Sequence, residues 1–335
     1  MKIINNYDGS SIDIINEDLK KNEAVLSLKK EKDAYSHYYN FRVENDLNKV
    51  GTVFIKNITK SAYYCPDQEH APYIKETDKE WKRLDSEEWK IDNDTLEINI
   101  LPHKVEEISL SPRYTKNELD EFISKIKNNP NIHIEEKILP QIEIGDKENP
   151  TLIVIGRQHP GETLSSFFIE GMIEAIIENK LKYHFLIYPI VNQEGVRNGN
   201  HRYLNEIDYN RSWNKQDAPQ EIKYIREIVQ KTKPQYFIDV HNDEISSKDY
   251  VTMKSNITEI GGIQVLKPRS TIKRFIRAII KQHKIINPRL KTAREYIQQE
   301  YNCKSILIEL SMNEEYTKAK NKGKKFIIDL LKERN

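Results

Sequence analysis

The chain has 335 residues, 37% hydrophobic and 31% charged, enough for two domains with a core at the lean end of the usual range. Lys and Arg (53) nearly cancel Asp and Glu (52), and the net charge of +1 gives no global pull toward nucleic acid or an anionic membrane, so neither is expected as a partner. The two cysteines, Cys65 and Cys303, lie far apart without a Cys-x-x-Cys pattern, which excludes a disulfide framework and a thiolate zinc site and leaves His and carboxylates to hold any metal.

The opening MKIINNYDGSSIDIINEDLKK is interrupted by acidic and polar residues and lacks the apolar run of a secretory signal. No run approaches the ~18–20 apolar residues that cross a bilayer, so a cytoplasmic, reducing setting is expected. To about residue 110 the chain reads as β. Residues 35–42 (YSHYYNFR) are aromatic and partly alternating, while 50–58, 96–101 and 105–110 carry the β-branched residues of strands. The polar stretch 60–88, with Pro66 and Pro72, reads as loops and short pieces.

After residue 111 the periodicity changes. KNELDEFISKIKN (116–128) has helical spacing and stops at Asn-Asn-Pro. Strands are expected at 152–155 (LIVI), 185–191, 236–240 and 305–310, alternating with helices at 164–177, 220–231, 271–284 and 317–332. This alternation predicts an α/β class with a mixed, largely parallel sheet and flanking helices. An all-β sandwich at 1–112 precedes it, and the α/β part occupies 113–335.

An open catalytic zinc site commonly uses two His and one carboxylate. His-x-x-Glu occurs at His103/Glu106, His133/Glu136, His159/Glu162 and His241/Glu244, so spacing alone decides nothing. Context favours His159 and Glu162, which follow the apolar strand LIVI in a Gly-containing turn that opens a helix, with Thr163 and Ser165 as candidate caps. A third ligand should come from a neighbouring strand end, and His241 after YFIDV fits. Asp239, two residues earlier on the same strand face, is a candidate orienter.

Between these ligands lie YPIVNQEGVRNGNHR (188–202) and DYNRSW (208–213), a loop system rich in the Arg and Asn that suit carboxylate recognition. Glu309, inside the apolar SILIEL, is costly to bury unless paired, hydrogen-bonded or protonated. Beside a metal it could serve as general base and then general acid.

With those residues in place, the chain resembles zinc metallocarboxypeptidases of the carboxypeptidase A superfamily, and is most similar to the cytosolic subgroup that includes tubulin deglutamylases. RQHPGET, GVRNGNHR, DYNRSW, FIDVHND and TAR…SILIEL carry the likeness, with YNFRVEN and LPHKVEEISLSPRYT in the N-terminal module. The resemblance implies one zinc ion per chain held by His159, Glu162 and His241. It implies that Asn210 and Arg211 grip the terminal carboxylate of a peptide or protein tail, that Arg202 stabilises the oxyanion, and that Glu309 activates water. Arg294, in Thr-Ala-Arg, falls where the subgroup carries a similar Arg and is expected to meet an acidic side chain.

There are departures. Asn-Pro-Asp-Gly is Asn-Gln-Glu-Gly here, Tyr209 replaces a Leu, and Asn242-Asp243-Glu244 replaces a small, Gly-containing sequence after the third ligand. For the substrate-capping tyrosine, Tyr296 and Tyr301 are both candidates. A second reading is a zinc-dependent N-acyl amino acid deacylase of the aspartoacylase and succinylglutamate desuccinylase type, which shares the ligand layout. The β module ahead of the α/β part favours the carboxypeptidase.

Overall fold

The structure is a computed structural model that describes residues 1–65, 71–266, 290–301 and 303–332. The chain divides into two compact units, one of residues 1–115 with 194–206, the other of 116–193 with 207–335. The segment 194–206, grouped by sequence with the α/β part, therefore clusters with the β-rich unit.

The first unit contains two five-stranded sheets. One runs Lys2–Ile4, Asn40–Asn45, Lys104–Ser109, Tyr73–Glu76, Lys82–Arg83; the other Trp89–Asp92, Thr95–Ile100, Gly51–Lys56, Glu23–Ser27, Asp13–Asp18. Alternation in Gly51–Lys56 and Thr95–Ile100 buries Val53, Ile55, Leu96, Ile98 and Ile100 while their neighbours stay more open, the mark of sheets with one covered face. Buried asparagines join the sheets: Asn22 Nδ2 donates to Asn45 Oδ1, and Asn45 Nδ2 donates to the carbonyls of Ile100 and Leu101. The 194–206 segment is tied in by its backbone. The Glu31 carboxylate accepts the N–H groups of His201, Arg202 and Tyr203, and Gly199, at φ +66, passes so close to the Ser10 carbonyl that a Cβ would not fit.

The second unit is built on a nine-stranded sheet. Its order is Ile132–Glu136, Pro140–Ile144, His184–Tyr188, Thr151–Gly156, Tyr236–Asp243, Lys304–Ser311, Tyr250–Thr252, Ile263–Leu266, Glu259–Ile260. The four central strands pair in parallel, as their near-continuous apolar runs require. Toward both edges antiparallel pairings take over, apart from the parallel contact of Tyr250–Thr252 with Ile263–Leu266. The α/β class and the mixed sheet are as expected, with parallel pairing confined mainly to its centre. Its flanking strands are short, and several are too polar to register as strands in sequence. Helices Lys116–Ile126, Leu164–Asn179, Gln220–Thr232 and Tyr316–Lys332 lie where periodicity put them. Helix Ala293–Tyr301 was not anticipated, and the helix expected at 271–284 lies outside the described residues. Among those described, no helix is long and apolar enough to cross a membrane.

Candidate active site

The parallel register sets the site. Gly156 pairs with Val240, and His241 pairs with Glu309, so three adjacent strands deliver their side chains at the same carboxyl edge. Thr151–Gly156 ends in the turn that carries His159 and Glu162. Arg157 enters that turn with φ +56, a left-handed conformation unusual for a non-glycine residue. Its buried guanidinium donates to the Pro160 carbonyl and to Ser166 Oγ (3.1 Å), pinning the turn from inside. The following helix is capped at Ser165 N–H by Asn242 Oδ1 (3.1 Å), from the neighbouring strand, and not by a Thr163 side chain.

His159, Glu162 and His241, only 4%, 2% and 1% exposed, bring their ligand atoms within 4.8 Å of one another. His159 Nδ1 lies 2.6 Å from Glu162 Oε1, and His241 Nδ1 lies 2.7 Å from Glu162 Oε2. Burial works against charge on Glu162, but the two imidazoles outweigh it and hold the carboxyl below the usual range. Burial likewise opposes protonation of His241, and Asp239 and Glu162 outweigh it, raising its pKa well above the ordinary value. Two nitrogen donors and a carboxylate so arranged could hold a metal ion between them, and the set matches the two-His, one-carboxylate chemistry of an open zinc site. The outward nitrogens are also held: His159 Nε2 lies 3.2 Å from Asp208 Oδ1 and His241 Nε2 lies 3.0 Å from Asp239 Oδ1. Such carboxylate partners fix ring orientation and raise ligand basicity.

Around this triad, Asn210 is nearly buried. Its Oδ1 accepts the Ala293 N–H (2.8 Å), which leaves Nδ2 facing His241 Nε2 at 3.2 Å. Arg211 is half-buried and donates to the Asn210 carbonyl (2.8 Å), its guanidinium's one hydrogen bond among the described residues. Arg294 opens the helix that Ala293 begins. Burial lowers its pKa while the charges of Glu295 and Asp239 support it, which places it in the field of the carboxylate behind His241.

Glu309 is partly exposed as a residue; its backbone belongs to the ladder, and its carboxyl makes no side-chain hydrogen bond among the described residues. Loss of solvent around its carboxyl raises its pKa well above the ordinary value; nearby His241 opposes this, and Asp243, Glu162 and Glu244 add to it. Tyr296 and Tyr301 sit in an aromatic cluster: Tyr296 lies 6.3 Å from Trp213 and 6.1 Å from Tyr301, with Arg226 over its ring.

Arg202 belongs to the first unit. There its backbone is held by Glu31, and its guanidinium lies 5.8 Å from the Tyr63 ring and 6.0 Å from that of Tyr203. The pairs His103/Glu106 and His133/Glu136 join no triad among the described residues: exposed His103 bonds Asn48, and Glu136 pairs with Lys116. Sequence reasoning missed roles for Gln158, Asp208, Trp213 and Asn242. Asp208 and Trp213 carried a signal, as the two ends of DYNRSW, and Asn242 as a departure after the third ligand.

Residues 3–111 match the family model described as the cytosolic carboxypeptidase N-terminal domain. Human cytosolic carboxypeptidase 1 is 37% identical over 75 residues, 20% of this chain and 6% of that protein. Mouse cytosolic carboxypeptidase 6 is 32% identical over 110 residues, 28% of this chain and 20% of its own length. The aligned stretch is thus a small part of these relatives. A metallo-carboxypeptidase from Burkholderia cenocepacia superposes with TM-score 0.78 at 18% identity, covering 98% of both chains. One from Pseudomonas aeruginosa, in complex with (2-guanidinoethylmercapto)succinic acid, superposes at 0.76 and 17% identity over 99% of this chain and 98% of that one. The fold is that of these metallo-carboxypeptidases, and the resemblance to the cytosolic type read from the motifs is borne out.

Proposed function

We propose that this chain is a cytoplasmic metallocarboxypeptidase that hydrolyses the C-terminal peptide bond of peptide or protein tails, with one zinc ion held by His159, Glu162 and His241. The observation that carries this reading is the buried triad with an acid, Glu309, in parallel register with His241 and without a side-chain hydrogen bond among the described residues. Zinc, when bound, supplies a Lewis acid that polarises the scissile carbonyl and lowers the pKa of water toward ~7. Glu309 takes the proton of the attacking water and passes it to the leaving amine, the general base and then general acid of the reaction.

Arg211 supplies the charge that grips the substrate's terminal carboxylate, since its guanidinium has one hydrogen bond to keep among the described residues. Asn210 joins that grip, although its amide already serves Ala293 and faces His241. Arg202 is assigned the developing oxyanion on the strength of the motif. Arg294 gives a preference for acidic C-terminal side chains: a half-buried guanidinium gains most from an anionic partner. The match of residues 3–111 to a carboxypeptidase N-terminal module supports this function over the N-acyl amino acid deacylase.

The deciding experiment incubates zinc-loaded protein with peptides bearing free or amidated C-termini and follows products by mass spectrometry, with N-acetyl-aspartate alongside. Stepwise loss from free C-termini only, stopped by a chelator, is expected. Cleavage of N-acetyl-aspartate with every peptide intact would replace the reading with the deacylase.

A further inference from the structure

We infer that Gln158 is a positioning residue for the third metal ligand: from its place beside the first ligand, its amide clamps the Asp239 carboxylate that orients His241. The inference rests on the reading of His159, Glu162 and His241 as a metal site.

Gln158 is fully buried in the turn that carries His159. Its Oε1 accepts the indole N–H of Trp213 (2.7 Å), and an indole nitrogen can only donate, so the amide orientation is fixed with Nε2 pointing the other way. Nε2 then donates to Asp239 Oδ1 at 2.8 Å. The same oxygen lies 3.0 Å from His241 Nε2.

Because His241 Nδ1 faces Glu162, its Nε2 carries the proton of a metal-binding tautomer and needs an acceptor. Three groups surround that nitrogen. Two are amide nitrogens, Gln158 Nε2 at 3.3 Å and Asn210 Nδ2 at 3.2 Å, and these are donors in the orientations their other bonds impose. Asp239 Oδ1 is thus the acceptor among them. The second oxygen, Oδ2, is buried without a hydrogen-bond partner among the described residues, which leaves Gln158 as the hydrogen-bond donor there, besides His241, that anchors the carboxylate's rotation. One amide therefore connects three segments: the turn bearing His159 and Glu162, the 208–213 anchor segment through Trp213, and the strand bearing His241.

The test compares wild type, Gln158→Met, Asp239→Asn and the double variant, reading zinc affinity by competition with a chromophoric chelator, and kcat and KM at saturating zinc. Gln158→Met keeps the side-chain length and can neither donate to Asp239 nor bind the indole proton. It is expected to weaken zinc about tenfold or more, the usual effect of losing a partner behind a ligand. Because Gln158 acts through Asp239, the double variant should bind zinc no more weakly than Asp239→Asn alone, whereas a merely structural contribution would add.

Should Gln158→Met fail to fold, Trp213→Phe removes the orienting N–H while keeping a ring, and a smaller loss in the same direction is expected. Zinc affinity unchanged in the folded single variant, or additive losses in the double, overturns the inference. A wild type that binds zinc yet cleaves nothing would sink the proposed function while leaving this comparison decisive. A wild type that binds no zinc overturns both.

Discussion

Glu309 pairs in register with His241, and its carboxyl has no side-chain hydrogen bond among the described residues, which suits the proton exchange proposed for it. Glu309→Gln keeps its shape and removes that exchange. A fall in kcat of about 10²–10⁴-fold is expected, the range a positioned acid–base group contributes, with zinc affinity retained because Glu309 is no ligand. Turnover that survives the change would assign the proton to another group. Arg294→Ala should lower kcat/KM for Glu-ending peptides about tenfold or more, the worth of a charged hydrogen bond, and leave Phe-ending peptides within twofold. Equal losses for both classes would show that Arg294 supports the fold and not the choice of substrate. At this scale the triad was legible because His and Glu follow recognisable apolar strands. The groups behind it were not: Gln158 and Asn242 are neutral amides whose roles arise only once three strand ends meet, and nothing in local sequence encodes that meeting. Thr163 had the right type for a helix cap, yet the bond to the first turn comes from Asn242, 77 positions from Ser165.

The helices Leu164–Asn179 and Tyr316–Lys332 cross through paired glycines. A Cβ on Gly171 would stand 1.9 Å from the Lys320 carbonyl oxygen, and one on Gly323 would stand 2.0 Å from that of Phe168. Both obstacles are backbone, so neither can swing aside, and alanine at either place must push the helices apart. Although alanine favours an isolated helix, Gly171→Ala and Gly323→Ala should each destabilise the second unit by about 1–3 kcal/mol. Calorimetry reads this directly, and a raised Tm would show that the crossing yields more easily than its geometry implies. These two helices and the four central strands were legible because each is long and strongly periodic. IHIEE at 132–136 and PQIEI at 140–144 were not, since their alternation is short and charged and their antiparallel pairing is set by the sheet they extend. Helix Ala293–Tyr301 escaped because AREYIQQEY buries only Ala293 and Ile297, too few positions to show a stripe.

For the molecule as a whole, the two units should answer to different variables. In the first, Glu106 is buried on Lys104–Ser109 in register with Glu76; loss of solvent, opposed by Lys104 and reinforced by Glu76 and Glu88, raises its pKa to about 7. A carboxyl near 4.3 when unfolded and raised when folded stabilises fully below the lower value and loses that contribution as pH rises through the higher. Glu106→Gln should therefore raise the unit's stability at pH 8 by on the order of 1 kcal/mol, discounted for solvent screening, and change it little at pH 5. In the second unit, stability should follow the metal. A ligand at about a hundred times its Kd stabilises the folded form by about 2.7 kcal/mol, and chelation withdraws that support. Amide exchange separates the two effects. Chelation should speed exchange in peptides covering 152–165, 208–213 and 236–243, where the ligands and their partners reside, and leave 40–56 and 95–109 unchanged. The pH 8 protection gained by Glu106→Gln should show the reverse pattern. Exchange that rose throughout on chelation would mean that the β-rich unit depends on the metal for its own folding, and that the two sheets joined by Asn22 and Asn45 do not sustain it alone.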